Sequence, residues 1–559
     1  LQMISWSTLQ NFHILFSIQL IYVIFVLKVL FWLSDPNVEA IPRRGNEPWS
    51  LILCKFADLH SYEPRSREWF EQWLRGDDED SIESYFAQVS NGIYTISGSN
   101  LHGWFTLSHT QNDVLRLANS DPKLVIGSDS SFDYFDKIKE LCVQVALENG
   151  ALLHRQKITV INAGTTAVYG KKHGVLLTPH LMFPSVLTHE MVHSFFIGHS
   201  YSDRKIRVFP YALSGEYDDR YDLMSTANAY MHRSKYGMSG PGLNGAHLDF
   251  LGWLPLDRLL YFGRDGRQNY TLRLSSLSVP HNSTRGWLLV MIPYDRNDPH
   301  NYYTVELRTP HRFDLGITQA SVLIHRVQKV GESYYSVLLS QAHDFYELTE
   351  NTEWVKFLEA NTAGHFQLLR VTVRRIYAHD ADIHISSTFD PNECHLGETT
   401  HSVVALDPRS DVSHVCLSNA DRNGVSGDTN DTSLIDRVVP TDVDLQRQFA
   451  RKNFYNLQST IGANACRTGH IWRALDAYDY VCVTPKRQEI VMNETNKQEE
   501  RIGLNGTGCS EPFLPRRAFP SDDICVTPSE KFRTFRENIQ SSHQLLHFAF
   551  FNGVDTVGP

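Results

Sequence analysis

Residues 183–231 read FPSVLTHEMVHSFFIGHSYSDRKIRVFPYALSGEYDDRYDLMSTANAYM, and this stretch decides how the rest of the chain is interpreted. His189 and His193 are four residues apart, so on a helix their imidazoles project from one face, about one turn apart. His199 follows six residues later and offers a third nitrogen. Three imidazoles that leave a fourth position open are the ligand set of a catalytic Zn²⁺ site. Glu190 is placed to take a proton from a zinc-bound water.

The alternative is an ordinary core helix whose two histidines are hydrogen-bonded and bind no metal. The helix carries enough apolar side chains for that interpretation: Val186, Leu187, Met191, Val192, Phe195 and Phe196. A third histidine at ligand spacing favours the metal.

The motif also resembles that of a known family. HEMVHSFFIGH at 189–199 is similar to the pattern HExxHxxGxxH of the metzincin zinc peptidases, and Met224 is similar to the methionine of their Met-turn. Over about 130–260 the sequence resembles gametolysin-like secreted metallopeptidases. The resemblance implies Zn²⁺ as cofactor, a protein or peptide as substrate and a floor beneath the zinc made by Met224. It also implies these roles: His189, His193 and His199 as ligands, and Glu190 as general base.

One residue departs from the family pattern. The glycine between the second and third histidines is Phe196 here. That glycine turns the chain out of the helix, and a positive φ is costly for a bulky residue. We therefore expect Gly198 to make the turn, since His199 would otherwise be misplaced.

Further candidates surround the motif. Tyr230 is a candidate donor to a developing oxyanion, with an ordinary core or surface tyrosine as the alternative. Asp222 is a candidate for orienting a ligand histidine from behind. The acidic stretch that contains it is open to three interpretations, a solvated loop, a Ca²⁺ site or a support for the ligands: Glu216, Asp218, Asp219 and Asp222.

Length and charge limit the function classes. With 559 residues, 42% of them hydrophobic, the chain is long enough for three or four packed domains. Its net charge is −11, which argues against nucleic acid as a partner. A membrane is a partner only if residues 12–33 remain as an anchor.

Residues 1–40 are expected to direct the chain out of the cytosol. The apolar run 12–33 fits either a cleaved signal peptide, with cleavage after Ala40, or a signal anchor with an extracellular catalytic domain. We expect a secreted or extracellular glycoprotein, and five sequons agree with that location: Asn269, Asn282, Asn430, Asn493 and Asn505.

Hydrophobic periodicity predicts the fold class. Strands and helices alternate over 41–260, which indicates an α/β (α+β) zinc-peptidase lobe. Two of its cysteines, Cys54 and Cys142, are either a disulfide or free core residues. Residues 261–390 hold short β-branched runs between turns, which indicates a β-sandwich-like domain. Four polar residues on these strands are interpreted as surface or hydrogen-bonded positions rather than as a site: Glu306, Arg308, His325 and Arg326.

Residues 391–559 contain a cysteine repeat. Cys466 and Cys482 recur 43 residues later as Cys509 and Cys525, and Val-Thr-Pro follows the second cysteine of each copy. The equal spacing predicts the disulfides Cys466–Cys482 and Cys509–Cys525, and Cys394–Cys416 is a candidate third pair. We expect these copies to form an accessory module.

Two main functions follow from the motif, and zinc-dependent hydrolysis of a non-peptide bond is a third alternative. The first is a secreted zinc-dependent endopeptidase that uses Glu190 as general base. The second is a non-catalytic secreted or surface binding protein that keeps the peptidase scaffold. Phe196 favours the second, whereas the complete set of ligands with Glu190 favours the first.

Overall fold

The computed structural model describes residues 43–120, 130–170, 174–263, 268–295, 300–330, 333–341, 345–361, 363–389, 398–402, 414–418, 462–467, 469–503 and 508–546. Within these ranges the chain is a mixed α/β protein with several sheets. Within the described ranges it divides into two compact units, one of residues 43–496 with 542–546 and one of residues 497–541. Residues 12–33, Cys394, Asn430 and Asn505 lie outside the described ranges. None of the described helices is long and apolar enough to cross a membrane.

The amino-terminal lobe of the larger unit is built on one five-stranded sheet. The strands of the five-stranded sheet are β2 (Trp49–Lys55), β4 (Asn100–Thr106), β5 (Gln156–Ile161), β6 (Ala167–Gly170) and β7 (Gly174–Leu177), while β1 (Gly45–Asn46) and β3 (Tyr94–Thr95) pair separately. The helices of the lobe are α1 (Arg67–Arg75), α2 (Ile82–Val89), α3 (Gln111–Ser120), α4 (Ser130–Glu148), α5 (Pro184–His193) and α6 (Gly245–Phe250). The sheet has the order β4-β2-β5-β7-β6, in which all neighbours are parallel except β6 and β7. The antiparallel strand β6 therefore forms one edge.

Two cores cover the faces of this sheet. Side chains alternate along β2, so Leu51 and Leu53 enter the core that contains α5, while Ile52 and Cys54 enter the core that contains α4. Cys54 forms a disulfide with Cys142 of α4, at a Cα–Cα distance of 6.1 Å. This settles the pairing that the sequence left open and fixes α4 against the sheet.

Residues 259–387 form two sheets. Their strands are β11 (Leu259–Tyr261), β12 (Asn269–Ser275), β13 (Leu289–Pro293), β14 (Tyr302–Arg308), β15 (Ser321–Val330), β16 (Ser333–Leu338), β17 (Glu353–Ala360), β18 (Phe366–Ile376) and β19 (Asp380–Ser387). The lobe contributes one further strand, β8 (Tyr201–Ser202), to the first sheet. Strands β9 (His232–Ser234) and β10 (Gly237–Ser239) form a separate hairpin. The sheet orders are β11-β13-β14-β15-β16-β8 and β12-β19-β18-β17. Both contribute to one hydrophobic core, for example through Val305 of β14 and Val371 of β18. Strands β20 (Glu398–Ser402) and β21 (His414–Ser418) pair with each other.

A buried ionic network joins the lobe to strand β14. The guanidinium of Arg308 donates to both carboxylate oxygens of Asp314, at 3.0 and 2.6 Å. Asp314 also accepts from the backbone N–H of Gly242, at 2.9 Å, and Glu306 accepts from that of Gly245, at 2.6 Å. All three ionic side chains are fully buried. Their hydrogen bonds therefore fix the start of α6 against the sheet.

Strand β15 extends the network. His325 Nε2 lies 2.9 Å from an oxygen of Asp219, and both side chains are fully buried. Burial lowers the pKa of His325, but the carboxylates of Asp219 and Glu306 outweigh it, so the pKa is raised. The interpretation of Glu306, Arg308 and His325 as hydrogen-bonded positions is confirmed. The alternative that they lie at the surface is wrong, because the lobe covers this side of the sheet.

The first cysteine copy belongs to the core of the lobe. It comprises β22 (Ile471–Trp472), β23 (Cys482–Val483) and α7 (Pro485–Asn496), and its disulfide Cys466–Cys482 is formed as predicted. The ring of Trp472 packs in the same hydrophobic cluster as α5 and the main sheet. The hydroxyl of Tyr480 donates to the carbonyl of Leu254, at 2.7 Å. This copy is therefore part of the lobe rather than a separate accessory module.

The second copy forms the smaller unit. It contains β24 (Leu514–Pro515), β25 (Cys525–Val526) and α8 (Pro528–Ile539), with the predicted disulfide Cys509–Cys525; α9 (Ser541–Gln544) follows. Arg516 and Asp522 form a buried two-point ion pair at 2.7 and 3.0 Å. Arg473 and Asp479 form the same pair in the first copy, at 2.8 and 3.0 Å. The repeat read from the cysteines therefore extends to the interior of each copy.

Replacing Arg308 with Met should destabilise the protein strongly. The substitution leaves Glu306 and Asp314 buried without their cation, a situation that costs about 3–5 kcal/mol. Arg273→Met is the matched control, because Arg273 also lies on a strand and pairs with Asp382, but at the surface. Exposed pairs contribute about 0–1 kcal/mol. Urea unfolding would measure the free energy of unfolding of both variants. Equal losses of unfolding free energy in the two variants would contradict the role given to the network.

Candidate metal centre

Helix α5 carries the first two histidines and is buried along almost all of its length. It begins with Pro184 at its first position, and every residue from Pro184 to Val192 is buried. Its last residue is His193, whose side chain is partly exposed. Within this helix the turn that separates His189 from His193 brings both imidazoles to one side, as the sequence predicted.

Each of the three imidazoles is held by a hydrogen bond at Nδ1. His189 Nδ1 lies 3.0 Å from the carbonyl oxygen of Leu223, and His193 Nδ1 lies 2.8 Å from that of Ile197. His199 Nδ1 lies 2.6 Å from a carboxylate oxygen of Glu216. All three partners accept, so each Nδ1 carries the proton and each Nε2 keeps its lone pair.

The remaining nitrogens converge. One nitrogen from each of His189, His193 and His199 lies within 4.8 Å of the others, so the group could hold a metal ion. His189 Nε2 and His193 Nε2 are 3.1 Å apart. Two lone pairs at this distance repel each other unless a cation lies between them. Tetrahedral Zn²⁺ with bonds of about 2.0–2.1 Å would place its nitrogens about 3.3 Å apart, so the donor set fits that ion.

The segment between the second and third ligands turns at Phe196. Phe196 has φ of +64°, and its N–H closes the turn on the carbonyl of His193 at 3.1 Å. Gly198 is not in the left-handed region. The expectation that Gly198 makes the turn is therefore wrong, and so is its corollary that a turn at Phe196 would misplace His199. Phe196 is 36% exposed, so solvent accommodates part of its ring, while its Cβ still bears the local cost of the left-handed backbone.

Glu190 is buried beside the ligands. Burial raises the pKa of its carboxyl to about 8, while a hydrogen bond from the backbone N–H of Tyr169 and the positive charge of Lys139 oppose that rise. A cation at the three histidines would lower the pKa further. Burial therefore keeps this carboxyl protonated to a higher pH than an exposed glutamate.

Met224 lies in the turn Leu223–Ser225, which is wholly buried. Asp222 accepts from the N–H of Met224 at 2.6 Å and from His247 Nδ1 at 2.9 Å. Because Leu223 in the same turn holds His189, Asp222 supports a ligand through the backbone rather than by touching an imidazole. Its proposed direct contact with a ligand histidine is not what the structure shows.

The other acidic residues have separate partners. Asp218 accepts from Ser202 and Asn228, at 2.6 and 2.9 Å, whereas Asp219 is bound to His325 and Glu216 to His199. Among the described residues, the three histidines are the only group of three or more such side chains close enough to hold a metal. Of the three interpretations of the acidic stretch, support for the ligands fits Glu216 best, and no shared Ca²⁺ centre is formed.

Three tyrosines lie around these residues in different ways. Tyr230 packs edge-on against Tyr221, with ring centroids 5.1 Å apart, and its part as an oxyanion donor stays a prediction. Tyr217 lies with its ring centroid 3.9 Å from that of His199, and Tyr169 stacks on His193 at 6.4 Å. No motif in the sequence marks Tyr217 or Tyr169. For Tyr217 the available signal was its position next to Glu216.

No protein-family model matches this chain, and no curated protein matches it in sequence. The case for a function therefore rests on the geometry of the site.

Phe196→Gly should be more stable than Phe196→Ala. Both substitutions remove the ring, but only glycine avoids the left-handed cost of roughly 1–2 kcal/mol that a side chain incurs. We expect the glycine variant to exceed the alanine variant by about 1 kcal/mol in unfolding free energy. Thermal or urea unfolding of the two proteins would check this. A more stable alanine variant would show that the turn lies elsewhere.

The metal-free protein should lose stability below about pH 6.5. Burial lowers the pKa of His189 to about 4, and it lowers those of His193 and His199 well below their usual range. As the pH falls, the histidines of the unfolded chain therefore bind protons at a higher pH than the three buried histidines of the folded protein. The contribution of these three histidines to the free energy of unfolding is complete above about pH 6.5 and is lost on acidification.

Urea unfolding of chelator-treated protein at about pH 7 and about pH 5 would measure this loss. His199→Gln is the control, because it has one titrating imidazole fewer and should lose less stability between the two pH values. Equal losses would show that His199 keeps an ordinary pKa in the folded protein.

Proposed function

We propose that this protein is a zinc-dependent endopeptidase of metzincin type. The proposal rests on one observation. Three imidazoles have their protons fixed at Nδ1 and their Nε2 atoms directed to a common centre, beside the buried carboxylate of Glu190. A structural zinc site is closed by four protein ligands, whereas three ligands with a buried carboxylate beside them are typical of a catalytic site.

Zn²⁺ at this centre would polarise a substrate carbonyl and lower the pKa of water. Glu190 would accept the proton of the attacking water and return it to the leaving amine nitrogen. The ring of Tyr169, stacked on His193, would limit the movement of that imidazole. The ring of Tyr217 would limit the movement of His199.

The alternative, a non-catalytic binding protein on the same scaffold, drew its support from Phe196. That support is weak, because Phe196 makes the turn itself and His199 still converges with the other two histidines. Hydrolysis therefore remains the function that the geometry favours.

We further propose that the protein is secreted or otherwise extracellular, with protein or peptide substrates. The six cysteines whose side chains the structure describes are all in disulfides, which persist in oxidising compartments. Three of the sequons are exposed, namely Asn269, Asn282 and Asn493.

Replacing Glu190 with Gln tests the catalytic assignment. The amide keeps the size of the side chain but cannot accept the proton, so peptidase activity should fall by about 10²–10⁴-fold or more. Zinc content and folding should stay close to wild type, because the three histidines are unchanged. Cleavage of a panel of denatured proteins would measure the activity, and elemental analysis would measure the zinc content.

Two variants complete this experiment. Glu148→Gln, on the exposed face of α4, is the matched control and should keep full activity. His193→Ala should lose zinc and activity together. Wild-type activity in a zinc-loaded Glu190→Gln protein would show that another group is the base. A fully zinc-loaded wild type that cleaves nothing would favour the binding protein instead.

A further inference from the structure

The loop that follows the third candidate ligand exposes apolar side chains. Residues 203–215, here called the aromatic loop, lie between His199 and Glu216 in the chain. Four apolar residues of this loop are exposed, namely Ile206, Pro210, Tyr211 and Leu213. Tyr211 is 41% and Leu213 is 59% exposed. The mechanism above uses none of these side chains, and apolar groups exposed together often mark a binding surface.

Backbone hydrogen bonds close the ends of the aromatic loop. The N–H of Gly215 donates to the carbonyl of Ile206, at 2.7 Å, and the N–H of Ser202 donates to the carbonyl of Gly215, at 2.9 Å. Gly215 has φ of +82°, and a Cβ at this position would lie 2.3 Å from the carbonyl oxygen of Ser202. Only glycine allows this close approach. Compact surface loops with closed ends are frequently functional.

Glu216 joins the aromatic loop to the candidate metal centre. Its Oε1 lies 2.6 Å from Nδ1 of His199, and its Oε2 accepts from the backbone N–H of Leu213, also at 2.6 Å. One buried carboxylate therefore holds the loop and a candidate ligand together. An occupant of the loop would lie on a frame that is tied directly to His199.

Aromatic rings form a ladder from the candidate centre to the surface. The ring of Tyr217 lies on His199, with centroids 3.9 Å apart. Phe209 meets Tyr217 edge-on at 5.3 Å, and Tyr211 stacks on Phe209 at 5.2 Å with an angle of 5° between the rings. The exposed ring of Tyr211 is thus continuous with the third candidate ligand through two intervening rings.

A peptide bound for cleavage would bring its side chains to this ladder. Its scissile bond would lie at the candidate metal centre, so the residues beside that bond would pass close to His199. Aromatic rings favour stacked or edge-on contacts with other rings, and they bury a large apolar area. A lipid surface is the other candidate occupant, since Lys205 and Arg207 of the loop are also exposed. The ladder favours the peptide, because a membrane contact needs no connection to a candidate ligand.

We propose that the aromatic loop binds an aromatic or large aliphatic side chain of the peptide substrate, against Tyr211 and Leu213, close to the bond that is cleaved. This deepens the proposed function and rests on it for the identity of the peptide as substrate. Glu216 then has a second part, since it holds the recognition loop and His199 in one arrangement.

Selection from a random peptide library on zinc-loaded Glu190→Gln protein tests the binding step without cleavage. The selected peptides should share an aromatic or large aliphatic residue at one position. Adding Tyr211→Ser should raise the Kd of a labelled selected peptide about tenfold, the factor that one aromatic contact contributes. Leu213→Ser should raise the Kd in the same direction, and it keeps the backbone N–H that donates to Glu216.

Phe357→Ser in the same protein is the matched control. Phe357 is also an exposed ring, 66% exposed, but it lies on strand β17 of the other sheet. Its removal should leave the Kd of the selected peptide unchanged.

Each other outcome contradicts the proposal. Selected peptides without a shared apolar residue, or no enrichment of any peptide, would overturn it. So would unchanged peptide binding in Tyr211→Ser, or in Leu213→Ser should the first variant not fold. If the variants bind the peptide normally and instead lose binding to vesicles of phosphatidylcholine and phosphatidylserine, the loop is a membrane contact and the proposal is wrong.

Cleavage separates this proposal from the proposed function. Where the wild type cleaves peptides, Tyr211→Ser should lower kcat/KM about tenfold for the selected peptide and leave it unchanged for the same peptide with Ala at the shared position. Where a zinc-loaded wild type cleaves nothing, the proposed function fails, while the binding result still decides whether the aromatic loop takes an apolar side chain.

Discussion

Three hydrogen bonds at imidazole Nδ1 atoms determine which way the candidate ligands face, and the rest of the lobe supplies their acceptors. The acceptors come from separate segments: the turn at Leu223, the turn that follows Phe196, and the loop that ends at Glu216. An imidazole without such a partner could rotate or change tautomer, and metal affinity would fall. The spacing of the histidines is thus necessary for the site, while its geometry also depends on the turn at Ile197 within the motif and on two loops outside it, those of Leu223 and Glu216.

The loops in turn depend on the buried charges beneath them. Asp222 fixes the turn that carries Leu223, and it is itself bonded to the N–H of Asn244 at 2.6 Å. Asn244 begins helix α6, whose first turn is held by Glu306 of strand β14. The sheets that follow the lobe therefore support the candidate metal centre through a short chain of buried hydrogen bonds. Such chains are stabilising only when every member is satisfied.

The sequence predicted what is local and missed what is long-range. The positions of His189, His193 and Glu190 follow from helical geometry, and the two disulfides of the repeat follow from equal spacing. The stacking of Tyr169 on His193 depends on the pairing of β6 with β7 and on the packing of that hairpin against α5, which no spacing encodes. The left-handed turn at Phe196 was missed because glycine is the usual residue there. The surrounding bonds of His193 and His199 impose the conformation on phenylalanine, at a local cost that the rest of the lobe offsets.

The last described segment of the chain returns to the lobe after the second cysteine copy. Leu545 bridges to Cys466 and lies in the same hydrophobic cluster as Trp49 and Trp472. The core is therefore completed by residues almost 500 positions after those that begin it. During synthesis the amino-terminal lobe emerges with all three histidines long before its core can close. A nascent chain that stops short of Trp472 would expose the apolar base of the lobe to chaperones and proteases, so folding of the lobe is coupled to completion of the polypeptide.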